Sequence, residues 1–474
     1  MAVRVRYHRG MQLDRDRQTD PLGNPVSLMR TATLRAVEDF VAGMLAYETR
    51  AEGIVAAAEA DPECCLANVY AGFLWMFLEA PDAALRAAPY LAAAERVAGA
   101  ATPRERQNLA LLRAWMADDL AAALCLCDRI TDEFPHDLLI VKIQQYFEFN
   151  RGDSPAMLRA ALKVAAQNIE NPHLHGMLAF AYEQCHLLEE AEAAARTALD
   201  LKRKEPWAQH ALAHVMLTRG KIDAGARFLE QMQDTWTGLN SFMITHLWWH
   251  LALFYMSQGR RAKILELYDR HCWGVAKQYS QDQVGAVSLL ARMELAGIDV
   301  GERWQDLAGH LAVRANDTVL PFLTLQYLYG LARAGRPQAQ ALLESVRRMA
   351  GNTAAHASRV WRDVALPACE GLYAYAHGDF DAAWRALSAA LPRLVEAGGS
   401  HAQRDLFDQI ALDAAIRSGR SVIAQQLLER RREHDPDGVP VNTALAAVYS
   451  QLGLPVLAEQ ARIRAQLARA RHPD

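Results

Sequence analysis

The stretch RERQNLALLRAWMADDLAAALCLCDRITDEFPHD, residues 104–137, contains the pattern that decides the fold. It begins with a segment rich in Leu and Ala, passes through a short polar turn and continues in an alanine-rich second segment that ends near Pro135. Similar stretches begin at residues 138, 172 and 206, so that three successive intervals are 34 residues long. Recurrence at this interval is typical of repeat proteins in which every unit is a pair of helices.

Further units follow with looser spacing, and each turns at a glycine: Gly259, Gly297, Gly335, Gly378, Gly419 and Gly453. Small residues such as Ala383 and Ala390 recur in the second helices, where they let neighbouring pairs stack into a continuous core. Because Ala and Leu dominate and β-branched residues are sparse, the sequence predicts an all-α fold. We expect a right-handed tetratricopeptide-type α-solenoid of about eleven helix pairs over residues 29–474, after an N-terminal extension, residues 1–28. A bundle of unrelated helices is the alternative.

Composition and charge limit the partners of the chain. The formal net charge is −4, which offers no overall attraction to nucleic acid or to an anionic membrane. No stretch approaches the roughly 18 apolar residues that a membrane-spanning helix requires. The basic N-terminus has no apolar run behind it, and the seven cysteines are scattered. These features predict a cytoplasmic protein with reduced thiols, with no nucleic-acid partner and no membrane partner.

Two pairs of histidines are the most informative chemical pattern. His210 and His214 are four residues apart in one predicted helix, and His246 and His250 are four apart in the corresponding helix of the next unit. Spacing of four puts both members of a pair on one helix face. That face is expected to line the concave channel, so four imidazoles should meet there. Three tryptophans beside them are candidate ligand-binding residues in apolar surroundings: Trp207, Trp248 and Trp249.

Imidazole is the commonest side-chain ligand of transition metals, and two histidines four apart on a helix can hold one ion. The four histidines are therefore candidate ligands of zinc, iron or copper. The segment HALAH lacks the glutamate of HExxH, and Asp269 or Asp282 would supply a carboxylate only if the solenoid turns it inward. Without a metal, the four histidines are candidate catalytic acids and bases near neutral pH. A structural cluster of hydrogen-bonded imidazoles under the tryptophans is the alternative.

A second pattern is GGSHAQRD, residues 398–405. Ser400 followed by Gln403 predicts a capping box at the start of a helix, and the two glycines allow a tight entry turn. His401, Arg404 and Asp405 remain as candidate ligand-binding residues for an anion at that helix N-terminus. A surface pair between Arg404 and Asp405 is the alternative.

Several segments together resemble the tetratricopeptide repeat protein 38 family, over residues from about 30 to the C-terminus. They are EPWAQHALAHV (205–215), THLWWHLALF (245–254), GIDVGERWQDL (297–307), RDVALP (362–367) and GGSHAQRDLF (398–407). The resemblance implies a curved helical solenoid and no settled activity. This chain departs from the family at Leu217, where relatives tend to carry Glu, at Gly285, where they tend to carry Asp, and at Gln326, where they tend to carry His.

Two functions follow from these patterns. The first is a small-molecule site in the concave channel centred on the four histidines; if catalytic, it would use histidine acid–base chemistry or a metal-assisted reaction. The second is a protein-interaction scaffold that binds a peptide or protein partner along the concave face. The aromatic residues near the histidines favour the first over the second, because peptide carboxylates are held by rows of Lys, Arg and Asn. A purely structural role is the third alternative.

Overall fold

The computed structural model describes residues 18–27, 29–352 and 358–473. At the N-terminal end, two short strands form an antiparallel hairpin, β1 (Gln18–Thr19) and β2 (Pro25–Val26). Asp20 in this hairpin is buried, and its Oδ2 lies 2.9 Å from Nη2 of Arg104. The hairpin is therefore held against the helices that follow.

The rest of the described chain is mainly helical, and consecutive helices pack in pairs. The first half of the array consists of α1 (Thr31–Ala46), α2 (Gly53–Ala60), α3 (Cys65–Met76), α4 (Ala83–Val97), α5 (Pro103–Met116), α6 (Leu120–Glu133), α7 (Leu138–Asn150), α8 (Ser154–Lys163), α9 (Pro172–Gln184), α10 (Leu188–Leu201), α11 (Pro206–Thr218) and α12 (Ile222–Met232). None of the described helices is long and apolar enough to cross a membrane.

The second half continues the same arrangement, with short 3-10 and π turns at several helix ends. It consists of α13 (Ser241–Gln258), α14 (Arg261–Leu267), α15 (Ser280–Leu295), α16 (Arg303–Leu311), α17 (Pro321–Arg333), α18 (Gln338–Gly351), α19 (Ser358–Val360), α20 (Leu366–Ala376), α21 (Phe380–Ala390), α22 (His401–Arg417), α23 (Ser421–His434), α24 (Val439–Gln451) and α25 (Pro455–Arg471). The predicted all-α tetratricopeptide-type solenoid is confirmed.

The 34-residue recurrence corresponds to the starts of α5, α7, α9 and α11. Helices α9 and α11 begin with Pro172 and Pro206, which suit the first helical position because its N–H has no partner within the helix. Before α7 and α9, the side chains of Asp137 and Asn171 accept hydrogen bonds from backbone N–H groups of the first turn. Local sequence thus defines where these repeats begin.

Small residues bring the helices of a pair together. Ala191, Ala195 and Ala198 on α10 are completely buried against α9 and α11. Gly225 on α12 lies against the ring of Phe254, where a Cβ atom would come within 2.3 Å of the ring. The predicted turn glycines all have positive φ, between 66° and 82°: Gly259, Gly297, Gly335, Gly378, Gly419 and Gly453.

Distant repeats meet where the superhelix closes on itself. Helix α13 packs against α24, and α15 packs against α22. In the turn between α11 and α12, a Cβ atom on Gly220 would come within 1.9 Å of the carbonyl oxygen of His434 at the end of α23. Near the N-terminus, Glu48 forms an isolated β-bridge with Leu239. These contacts join parts of the array that are far apart in sequence.

Replacing Gly220 by Ala tests how much this closure stabilises the fold. Gly220 and Gly335 have φ angles of 65° and 66°, but a Cβ atom at 335 would meet nothing within 4 Å. Gly335→Ala therefore carries only the cost of left-handed backbone, about 1–2 kcal/mol. We expect Gly220→Ala to lower the free energy of unfolding in urea by at least about 1 kcal/mol more, because the His434 carbonyl must move. Equal losses would contradict this role for the contact.

Candidate functional site

The two histidine pairs meet in the structure. His210 and His214 lie on α11, and His246 and His250 lie on the adjacent helix α13. The Nε2 atom of His210 is 3.0 Å from Nε2 of His214 and 3.2 Å from Nε2 of His246. The ring centroid of His250 is 4.5 Å from that of His214 and 4.9 Å from that of His210. We call these four side chains the histidine cluster.

Helix caps determine which residues of α11 and α13 face inward. The carboxylate of Glu205 accepts a hydrogen bond from the backbone N–H of Ala208 at the start of α11. The side chain of Asn240 accepts one from the N–H of Met243, at 3.0 Å, at the start of α13. These caps define where each helix begins. Within each helix, the four-residue spacing places both histidines on one face, which is the inner face.

Burial keeps the imidazoles neutral. His214 and His250 are completely buried, and His210 and His246 are 1% and 8% exposed. Burial, together with the nearby His214, lowers the pKa of His246 to about 3. Burial and the other histidines also hold the pKa values of His210 and His250 well below their ordinary range. The neutral imidazole is the form whose nitrogen lone pair binds a metal.

The structure supplies a carboxylate that the sequence analysis missed. Glu183, buried near the end of α9, places its Oε1 atom 3.4 Å from Nδ1 of His214. The same oxygen contacts Nε2 of His401 at the start of α22. Burial acts to raise the pKa of Glu183, but His214 and His401 outweigh it and hold that pKa below its ordinary value. The one signal in the sequence is an acidic residue directly after the apolar run MLAFAY, residues 177–182.

The two aspartates considered from the sequence lie elsewhere. Asp269 forms an ion pair with Arg303, at 2.6 Å between oxygen and nitrogen. Asp282 is buried on α15, where its Oδ2 accepts a hydrogen bond from the N–H of Ala276 at 3.1 Å. Burial raises the pKa of Asp282 to about 6. Within the described ranges, neither belongs to a group of side chains that could share a metal ion.

A cavity of about 580 Å³ adjoins the histidine cluster, and His210 and His246 form part of its wall. Most of the wall is apolar, and its aromatic residues are Tyr47, Trp75, Phe77, Tyr146, Phe149, Phe180, Trp207, Phe242, Tyr279 and Phe322. Polar side chains on the wall include Glu79, Lys142, Gln145, Asn150, Asn240, Gln281, Ser400 and Gln403. Size and lining are those of small-molecule sites, which are mainly apolar with a few polar groups.

The three predicted tryptophans have different positions. Trp207 lies on the cavity wall and stacks on His210, with 4.5 Å between ring centroids. Trp249 is buried behind His246 and stacks on it at 5.1 Å. Trp248 points away from the cluster and stacks on His271 at 4.1 Å. The structure therefore brings two of the three to the cluster.

The segment 398–405 is placed only in part as expected. Ser400 and Gln403 form the predicted capping box and lie on the cavity wall. His401 reaches Glu183, while Arg404 donates a hydrogen bond back to the carbonyl of Gly399. Asp405 does not pair with Arg404 but with Arg431, at 2.6 Å, and lies 3.8 Å from Arg292. Arg404 and Asp405 are thus engaged with the protein and do not line the cavity.

A change of pH should reveal the neutral state of the cluster. The unfolded chain has ordinary histidine pKa values of about 6.5, whereas the pKa of folded His246 is about 3. Between these values the unfolded state binds more protons, so stability falls as the pH falls. In metal-free protein, His246→Gln should remove this contribution. When the pH is lowered from about 6 to about 5, the free energy of unfolding of the wild type should fall by about 1 kcal/mol more than that of the variant. An equal decrease in both proteins would contradict the prediction.

No family model matches the chain, so membership of the tetratricopeptide repeat protein 38 family stays a prediction. Among solved structures, the human IFIT1 dimer with PPP-AAAA is 15% identical, over 81% of this chain and 86% of that chain, with a TM-score of 0.38. The P58(IPK) TPR domain is 13% identical over 79% and 94%, and yeast Tom70 is 12% identical over 78% and 95%; both TM-scores are 0.22. These likenesses concern the helical-repeat fold and carry no argument about function.

Proposed function

We propose that the protein binds a small molecule in the inner cavity and a divalent transition-metal ion on the histidine cluster at the cavity wall. The observation that carries the proposal is the approach of Nε2 of His214 and His246 to Nε2 of His210, at 3.0 Å and 3.2 Å. Imidazole nitrogens around a tetrahedral ion, with metal–nitrogen bonds of about 2.0–2.1 Å, lie about 3.3 Å apart. One nitrogen of each of the four imidazoles lies within 4.8 Å of the others, so the side chains would have to close by up to about 1.5 Å to match that geometry.

Hydrogen bonds do not provide a partner for every ring nitrogen of the histidine cluster. A neutral imidazole has one donor and one acceptor nitrogen. Within the described part of the chain, neither ring nitrogen of His250 has a hydrogen-bond partner, and the same holds for Nδ1 of His210. A buried polar group left unpaired costs about 1–3 kcal/mol. A shared ion would engage several of these nitrogens at once, which favours a metal site over a hydrogen-bonded core.

The surroundings of the cluster also support a metal site. A metal-binding histidine commonly donates its second ring N–H to a carboxylate, which orients the ring. Glu183 is placed for such a contact, because its Oε1 lies 3.4 Å from Nδ1 of His214, a nitrogen without a hydrogen-bond partner among the described residues, while Nε2 faces His210. The same Glu183 oxygen also contacts Nε2 of His401. The carboxylate therefore acts as a positioning group rather than as a ligand of the same ion.

Because the histidine cluster adjoins the cavity, a bound ion could act on a molecule held there. Zinc would be fully coordinated by four imidazoles, whereas iron or copper could keep a position open toward the cavity. When bound, such an ion supplies Lewis-acid chemistry to an oxygen atom of a molecule in the cavity. The chain contributes neutral imidazoles and a mainly apolar wall. Metal-free acid–base catalysis is less favoured, because the pKa of His246 is far below neutral pH.

The molecule is a helical-repeat scaffold, but binding of a peptide along its inner face is less favoured. Contacts between distant repeats, such as that of His401 with Glu183, occupy part of that face. The remaining space is a cavity with a mainly apolar wall, and Lys142 is the one Lys or Arg among its described lining residues, unlike a groove with a row of basic residues. A compact apolar molecule fits this space better than an extended chain does.

Metal binding can be measured on untagged protein. After dialysis against zinc or cobalt, elemental analysis should find one ion per chain, and cobalt should show the visible absorption of tetrahedral coordination. Chelation should lower the melting temperature of the wild type, because an ion that binds only the native state stabilises it. His246→Ala combined with His250→Ala should abolish both effects.

The control for this experiment is His377→Ala, at an exposed histidine in the turn between α20 and α21. It should bind the ion like the wild type, and far-UV circular dichroism should show that both variants are folded. If the wild type binds no ion, or the double variant binds as well as the wild type, the cluster is structural.

Replacing Glu183 by Gln tests the positioning role of the carboxylate. The variant keeps the size of the side chain but removes the charge that orients His214, so zinc affinity should fall by about 10–100-fold. Competition with a coloured chelator measures this affinity. Glu192→Gln, at a carboxylate paired with Arg196 and Arg219 on the surface, should leave it unchanged. Equal zinc affinities in the two variants would rule the role out.

A further inference from the structure

A basic side chain faces the cavity. Among the described residues that line it, Lys142 on α7 is the one Lys or Arg. Its Nζ atom lies 3.3 Å from the ring centroid of Tyr47 and donates to the carbonyl oxygen of Leu45 at 3.4 Å. The face of an aromatic ring and a carbonyl oxygen both attract positive charge, so this position suits an ammonium group.

The ammonium group has no carboxylate counter-ion within the described ranges, since no carboxylate oxygen there lies within 4.0 Å of Nζ. Burial lowers the pKa of Lys142 to about 7, while Glu205 acts from farther away to raise it. Removing a cation from water without pairing it is unfavourable. A ligand that brings a negative charge to this position would therefore be bound more tightly than its neutral analogue.

Aromatic rings connect Lys142 with the histidine cluster along the wall. The ring of Tyr47 lies 5.0 Å from that of Trp207, which stacks on His210 at 4.5 Å. The ring of Phe180 also packs against Trp207, with 4.6 Å between ring centroids. A wall of this kind binds a flat apolar body, because aromatic groups favour offset or edge-to-face contact with one another.

We propose that Lys142 recognises the carboxylate of a small aromatic acid, whose ring system lies against Trp207 and whose far end points to the histidine cluster. This inference rests on the proposed function and adds the class of ligand to it. The acidic group of the wall that is most buried, Glu79, does not compete for Lys142, because it accepts hydrogen bonds from Ser280 and Gln281. Among the described lining residues, the cavity thus offers one cationic side chain, Lys142, on a wall that is otherwise mainly apolar.

A matched pair of competitors tests the inference. N-phenyl-1-naphthylamine, a neutral dye that fluoresces in apolar surroundings, reports occupation of the cavity. 2-Naphthoate and 2-naphthylmethanol share one ring system and differ in the carboxylate. The wild type should bind naphthoate more tightly than the alcohol, and Lys142→Met should weaken naphthoate by about ten- to hundredfold while leaving the alcohol unchanged. Lys142→Arg, which keeps the charge, should retain most of the preference.

Each measurement is made with and without chelator, so that a carboxylate bound to a metal ion is distinguished from one bound to Lys142. Dye binding by Lys142→Met serves as its folding control. Equal affinities of the wild type for the two competitors, or equal weakening of both in Lys142→Met, would overturn the role of Lys142 and leave the cavity proposal standing. Failure of the dye and of both competitors to bind the wild type would overturn the cavity proposal and this inference with it.

Discussion

The histidine cluster and the inner cavity depend on contacts between repeats that are far apart in sequence. A helical array with an open inner face would leave its histidines in water. Here the turn before α22 packs so closely that a Cβ atom on Gly399 would come within 2.5 Å of the ring of Phe322. Directly after it, His401 reaches Glu183 on α9. The closed superhelix turns its inner face into the wall of a cavity, where side chains contact one another instead of solvent.

Removal from water then sets the chemistry of the polar groups in that cavity. Burial disfavours charged forms, so it lowers the pKa values of His246 and Lys142 and raises that of Glu79. Glu183 is the exception, because its interactions with His214 and His401 lower its pKa more than burial raises it. The same low-dielectric surroundings strengthen any interaction that a ligand makes there. Burial thus keeps the imidazoles in the neutral form that binds a metal. It also leaves Lys142 in a position where an anionic ligand would be stabilised.

The three tryptophans show which side-chain positions a local sequence pattern predicts correctly. Trp248 and Trp249 are neighbours in sequence, but consecutive residues of an α-helix point about 100° apart. Trp249 therefore stacks on His246, whereas Trp248 turns to His271. The histidines were predictable as a cluster because four-residue spacing keeps each pair on one face. The surface pair of Arg404 and Asp405, the alternative to an anion site, does not form, because Arg431 from α23 pairs with Asp405 instead.

The amino-acid sequence by itself determined the repeat architecture, the starts and turns of the helices, and the inward placement of two histidine pairs on neighbouring repeats. These features depend on caps, small residues and spacings within one or two repeats. Only the tertiary structure decided which distant groups join them. Glu183 meets His401 across 218 residues, and Lys142 meets Leu45 across 97. Such contacts depend on the accumulated curvature of the whole solenoid, which arises from small rotations between repeats that no local pattern encodes.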